Sequence, residues 1–152
     1  MTKKDLQEQL KQSMLAKDEL KTAVLRFILS GITYYEIQKG GAGYEATDED
    51  ALAVIQKEVK QRKDSIEQFE KAQRQDLVEK EKSELTILET YLPEQMPEEE
   101  VKKLVAEAVS QTGAKTIQDM GKVMGALMSK VKGKADGTLV STLVKQALTP
   151  TS

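Results

Sequence analysis

Between Leu52 and Phe69 apolar residues return every three or four positions, at Ile55, Val59 and Ile66, and the same spacing runs through most of the chain that Pro and Gly leave unbroken. Positions three and four apart share one face of an α-helix, whereas a half-buried strand needs strict alternation, so the pattern predicts an all-α fold. A first helix runs to about Lys17 with Leu6, Leu10 and Met14 recurring at helical spacing, opened by Thr2 and Asp5 as a weak capping box. Asp18 caps a second helix, ending near Gln38, whose inward line is Leu20, Val24, Phe27, Gly31 and Tyr35. The glycines of "KGGAGYEA" break the pattern, Thr47 and Asp50 restart it, and Arg62 interrupts the apolar seam of the third helix. A fourth helix extends from Leu77 towards Leu92, where Pro93 disfavours helical geometry in the preceding residue.

The stretch "LPEQMPEEE" holds two Pro and four Glu, and it lies where residues 1–92, with 15 basic and 18 acidic residues, give way to residues 93–152, with 8 and 7. It marks a domain boundary. Residues 1–92 are expected to form a helical bundle or hairpins of about four helices, and 93–97 a linker. Residues 98–148 are expected to form a three-helix tail domain and 149–152 a frayed tail. In that tail domain Pro97 precedes a helix ended by Gly113, Thr116 and Asp119 open the next, and Asp136 caps the last. The expected inward positions are Val101, Leu104, Val105 and Ala108, then Ile117, Met120, Met124, Leu127 and Val131, then Leu139, Leu143 and Val144.

The chain contains neither His nor Cys. That removes imidazole acid–base chemistry, thiolate nucleophiles, disulfides and the usual zinc ligands, and no residue set stands out as catalytic or metal-binding. No cofactor motif is present. No apolar run approaches the roughly 18 residues of a membrane helix. The opening "MTKKDLQEQL" lacks the apolar segment of a secretory signal, which gives the expectation of a soluble, cytoplasmic protein.

The most unusual composition lies in "MGKVMGALMSKVKGKADG", with four Lys and four Gly in 18 residues. Gly121 and Gly125 lie one helical turn apart, and a pair of helix-interior glycines suggests close approach of another helix, so both are read as packing residues. From Gly121 to Lys145 there are five Lys and one Asp, a local net of +4. Lys122, Lys130, Lys132 and Lys134, with the backbone around Gly133, are the candidate phosphate-binding group. Judged on composition alone, a solvated helix end whose lysines complement the helix dipole fits better, since the spacing does not match a P-loop. Arg62 is assigned a structural role against a carboxylate, and Tyr34, Tyr35 and Tyr44, which border the glycine loop, are core caps or base-stacking platforms.

Taken together and in order, "VKQRKDS", "LETYLPEQMPEEE" and "MGKVMGALMSKVKGKADGTLV" resemble the YqeY proteins, small stand-alone relatives of the tail of the glutamyl/aspartyl-tRNA amidotransferase B subunit. Gly121, Gly125, Met128, Gly133, Lys134 and Ala135 match that tail's G-x-x-x-G, methionine and G-K-A. Asp136-Gly137 stands where the tail has Asn-Pro, which weakens direct anion contact there. The resemblance implies a helical region followed by a three-helix tail domain, and tRNA as a partner. It also implies a helper module without catalysis, because the amidase subunit and the large cradle domain of the amidotransferase are missing. The alternatives are a helical module that docks a protein partner in translation, and an accessory part in glutamine-dependent transamidation by a carbon–nitrogen ligase.

Overall fold

The computed structural model describes residues 1–149, so the expected frayed tail falls outside the described residues except for Thr149. Seven α-helices and two 3-10 turns make up the described chain, which contains no strand. The helices are α1 (Lys3–Leu15), α2 (Glu19–Gly40), α3 (Asp48–Lys71), α4 (Gln75–Glu89), α5 (Glu98–Thr112), α6 (Met120–Val131) and α7 (Gly137–Leu148). Two compact units result, Met1–Leu92 and the residues from Pro93 onward.

Local chemistry fixes the helix ends. Thr2 and Asp5 form a capping box at α1, Thr47 and Asp50 form another at α3, and the Asp18 and Asp136 carboxylates accept backbone N–H groups of α2 and α7. Each satisfies an N–H that the first turn would otherwise leave without a partner. The Thr116–Asp119 box opens a 3-10 turn, Ile117–Asp119, ahead of α6. Gly113 ends α5 at φ +67°, a left-handed conformation that glycine adopts without a Cβ clash.

In the first unit Leu6, Val24, Leu25, Ile28, Ile32, Val54, Ile55, Val59 and Leu88 build the core. The inward line expected for α2 is therefore rotated. Val24 is buried, but Leu20 and Phe27 are 38% and 48% exposed, and the core takes Leu25, Ile28 and Ile32 instead. Because α2 carries apolar residues nearly all round, two different three-four lines fit its sequence, and only the packing of α1, α3 and α4 selects one. Close helix approach occurs at Gly31, where a Cβ would lie 2.9 Å from Val54 Cγ1. The second unit buries Val101, Val105, Ala108, Val123, Leu127, Val131, Val140, Leu143, Val144 and Leu148. Ile117, expected inward, is 48% exposed because the 3-10 turn carries it out of the α6 register.

Tyr35 and Tyr44 act as caps for a buried carboxylate. Their hydroxyls each donate to Asp50 at 2.7 Å, and Thr47 adds its backbone N–H at 3.0 Å and its hydroxyl at 2.9 Å. The Tyr44 hydroxyl above all, then the Thr47 N–H and the Tyr35 hydroxyl, hold the Asp50 carboxyl well below the usual carboxylate range. A depressed folded-state pKa stabilises the fold fully above the unfolded value, about 3.9, and this contribution drains away as pH falls towards the folded value. Asp50→Asn is expected to lower the melting temperature at pH 7 and to flatten its fall below about pH 4. Melting curves of the two proteins from pH 2 to pH 7 would check this; parallel acid limbs would assign the effect to other carboxylates, such as Glu36 beside Lys3.

Candidate nucleic-acid interface

The lysine-rich stretch folds as α6, a turn and the start of α7. Val123, Leu127 and Val131 anchor α6 in the core of the second unit, which leaves Gly121, Lys122, Gly125, Met128 and Lys130 exposed. The turn is made by Gly133 at φ +79°, and Lys132 and Lys134 emerge exposed on either side of it. Asp136 spends its carboxylate on the Thr138 N–H at 3.0 Å, filling a position at the α7 N-terminus that an anion would otherwise take.

Two of the sequence assignments change here. Gly121 and Gly125 are not packing residues: a Cβ built on either meets nothing within 4 Å, and both lie on the exposed face. The glycine spacing put them on one face correctly, but the core is filled from the other side by the branched residues Val123, Leu127 and Val131, so no neighbouring helix approaches them. Gly133 is buried, and its carbonyl accepts from Gln95 Nε2 at 3.0 Å. It shapes the turn and offers no exposed surface to a phosphate.

Residues that the sequence reading left in the linker hold this turn in place. The Gln95 side chain donates to the carbonyls of both Pro93 and Gly133, at 2.8 Å and 3.0 Å, and the Met96 N–H donates to the Lys134 carbonyl at 2.7 Å. The stretch 93–97 is thus a strap tied to the turn that presents Lys132 and Lys134. Nothing in its Pro- and Glu-rich composition signals this, because the bonds are made by one polar side chain and by backbone atoms.

The electrostatics match exposed cations. In the second unit Lys102 pairs with Glu98 and Glu99 at 3.6 Å and 3.5 Å, while no described carboxylate lies within 4.0 Å of the Lys130 or Lys134 ammonium. Lys122 helps hold down the pKa of Asp119, behind the larger effects of the Lys115 and Thr116 N–H groups. The four lysines and the open glycine strip chemically suit a polyanion: the lysines supply charge, and a helix face without Cβ atoms allows close approach of a backbone. Among the described residues no group of His, Cys, Asp or Glu has the geometry to hold a metal ion, and no helix is long and apolar enough to cross a membrane.

Arg62 forms a second polar centre, in the first unit. It is 9% exposed, donates from Nη1 to Glu81 at 3.0 Å and to Glu84, and lies over the Phe27 ring with its guanidinium carbon 5.0 Å from the centroid. The interruption of the α3 seam is therefore a buried cation held by two carboxylates from α4.

Comparison with known proteins gives relatives along much of the chain. A protein of Lachancea thermotolerans named "Altered inheritance of mitochondria protein 41, mitochondrial" is 46% identical over 89 residues, covering 58% of this chain and 46% of that protein. Its namesake in Kluyveromyces lactis is 46% identical over 87 residues, covering 57% of this chain and 45% of that one. The chain thus spans less than half the length of these two curated relatives. An uncharacterized protein of Schizosaccharomyces pombe is 38% identical over 89 residues, 59% of this chain and 70% of that protein. The names correct the expected location: relatives named as mitochondrial conflict with a purely cytoplasmic assignment, which rested on a short apolar-poor N-terminus that carries no such information. The family described as "Yqey-like protein" matches residues 3–148, and the chain belongs to the YqeY family.

Proposed function

We propose that the chain is a tRNA-binding helper module without catalysis of its own, and that the second unit meets the sugar-phosphate backbone through Lys122, Lys130, Lys132 and Lys134. The observation that carries this reading is the open face of α6, where Gly121 and Gly125 have empty space above them with exposed Lys122 adjoining, while Lys130 lies further round the helix. Folding alone gives no reason for Gly125, which lies inside α6 and costs about 1 kcal/mol against Ala. The resemblance to the amidotransferase tail supplies tRNA as the polyanion. A relation to glutamine-dependent transamidation belongs to this reading as assistance only.

The test is a titration of folded tRNA at increasing salt. Three or four neutralised phosphates give a log-log slope near −3, at about −0.9 per contact. Salt-insensitive binding, no binding, or glutamine- and ATP-dependent turnover by the chain alone would each overturn the proposal. The glycines give an independent check. The double variant Gly121→Ala with Gly125→Ala is expected to raise the melting temperature, through a gain approaching about 1 kcal/mol that comes mainly from Gly125 in the helix interior, and to weaken tRNA binding by covering the strip with methyl groups. Stability and affinity should move in opposite directions. An unchanged affinity with raised stability would remove the strip from the interface.

A further inference from the structure

The first unit carries a surface unrelated to the lysines. On α2, Leu20, Ala23, Phe27, Ser30, Tyr34 and Ile37 follow each other at intervals of three, four, three, four and three, the spacing of a coiled-coil seam. This line faces away from the core. Leu20 is 38% exposed, Phe27 48%, Tyr34 60% and Ile37 62%, so four large apolar side chains stand in solvent along about 25 Å of helix, at 1.5 Å per residue.

Midway along the seam, Ala23 and Phe27 also line a cavity of about 370 Å³ whose other walls include Glu58, Arg62, Glu81 and Glu84. Three carboxylates face one guanidinium there, a formal excess of two negative charges. Two buried atoms in this group have no hydrogen-bond partner: Glu58 Oε2 and Arg62 Nε. Arg62 is itself more than nine-tenths buried. A buried polar atom without a partner costs on the order of 1–3 kcal/mol, so this group of charges is incompletely compensated from within the chain. Burial also pushes the Glu58 carboxyl above its ordinary pKa, against the opposing pull of Arg62 and Lys57.

We propose that the α2 seam docks a cationic amphipathic helix of a partner protein, with apolar residues along the seam and one Lys or Arg side chain entering the cavity among the Glu58, Glu81 and Glu84 carboxylates. Charge selects this occupant. An acidic or neutral helix would cover the same apolar residues but leave the two excess charges buried without compensation. A basic side chain at the cavity offsets that excess. The seam and the cavity lie entirely within the first unit, so this surface is independent of the RNA reading.

The test uses two synthetic helical peptides of four heptads, identical with Leu at every a and d position, one with Lys and the other with Glu at e and g. Fluorescence anisotropy at physiological salt should give saturable binding of the Lys peptide and at least tenfold weaker binding of the Glu peptide. Ile37→Asp and Tyr34→Asp, both on exposed seam positions, should each weaken the Lys peptide at least tenfold. Glu58→Gln should weaken it about tenfold, while Glu79→Gln, the same charge change on the exposed face of α4, should change it less than twofold. Circular dichroism of each variant establishes that it is folded; Tyr34 and Ile37 have no place in the core, so at least one seam variant remains readable. Equal binding of the two peptides, or equal effects of Glu58→Gln and Glu79→Gln, would overturn the proposal. So would a concentration-dependent dimer, seen by sedimentation without peptide, that Ile37→Asp disperses, because the seam would then belong to a second copy of this chain.

Discussion

Replacing Lys130, Lys132 and Lys134 together with Glu is expected to reduce tRNA affinity on the order of a hundredfold at physiological salt, with little change in thermal stability. The size follows from counterion release: at about −0.9 per contact in the log-log slope, each neutralised phosphate contributes roughly five- to sixfold near 0.15 M salt, and three contacts multiply. Reversing the charge adds repulsion to the lost attraction. Stability barely moves because all three side chains are exposed and lie outside the core of the second unit. The control is Lys102→Glu with Lys103→Glu, which alters charge on α5, where Lys102 already lies beside Glu98 and Glu99. Filter binding or anisotropy with folded tRNA reads the affinity, and calorimetry reads the stability. If the triple variant and the control bound tRNA as well as the parent, the phosphate reading would fail and a protein partner would replace it.

Arg62→Ala is expected to have the largest effect on stability, about 3 kcal/mol or more. Removing one member of a buried ion pair leaves its partners as uncompensated charges, a loss of about 3–5 kcal/mol in well-buried cases. Here Arg62 answers Glu81 and Glu84, whose side chains are 21% and 12% exposed, so some water reaches them and the lower end of that range applies. The melting transition of the first unit should fall by more than about 10 °C. Arg62→Met combined with Glu81→Gln and Glu84→Gln should recover much of the loss, because the two carboxylates that Arg62 bonds are then uncharged and only Glu58 remains of the group. A triple variant as unstable as Arg62→Ala would shift the explanation to packing of the Arg62 stem against Phe27.

Much of the architecture was legible because short-range chemistry decides it. Thr2, Thr47 and Asp136 cap helices through oxygens that reach N–H groups two or three residues away, and Gly113 ends α5 through its own backbone freedom. Such interactions need no tertiary partner, so spacing in the chain suffices to find them. The cationic character of the α6 turn was legible for the same reason: five lysines and one aspartate lie close in sequence wherever the helix points.

Which face of a helix turns inward was legible for α3, α5 and α7, but at α2 and at the glycines the sequence pointed in opposite wrong directions. Gly121 and Gly125 have the spacing of a packing pair yet stand in the open, whereas Gly31 touches Val54 so closely that a Cβ would lie 2.9 Å from it. Phe27 belongs to an apolar line as regular as the one that is buried, and only the placement of α1, α3 and α4 decided that Leu25, Ile28 and Ile32 would fill the core instead. The strap from Gln95 and Met96 to the Gly133–Lys134 carbonyls depends on backbone atoms nearly forty residues away, about which side-chain identity says nothing. By itself the sequence determined helices, their ends and the charge each segment carries, because those are properties of neighbours along the chain. The tertiary structure decided which glycines, aromatics and carboxylates meet solvent and which meet each other, because burial is a property of neighbours in space.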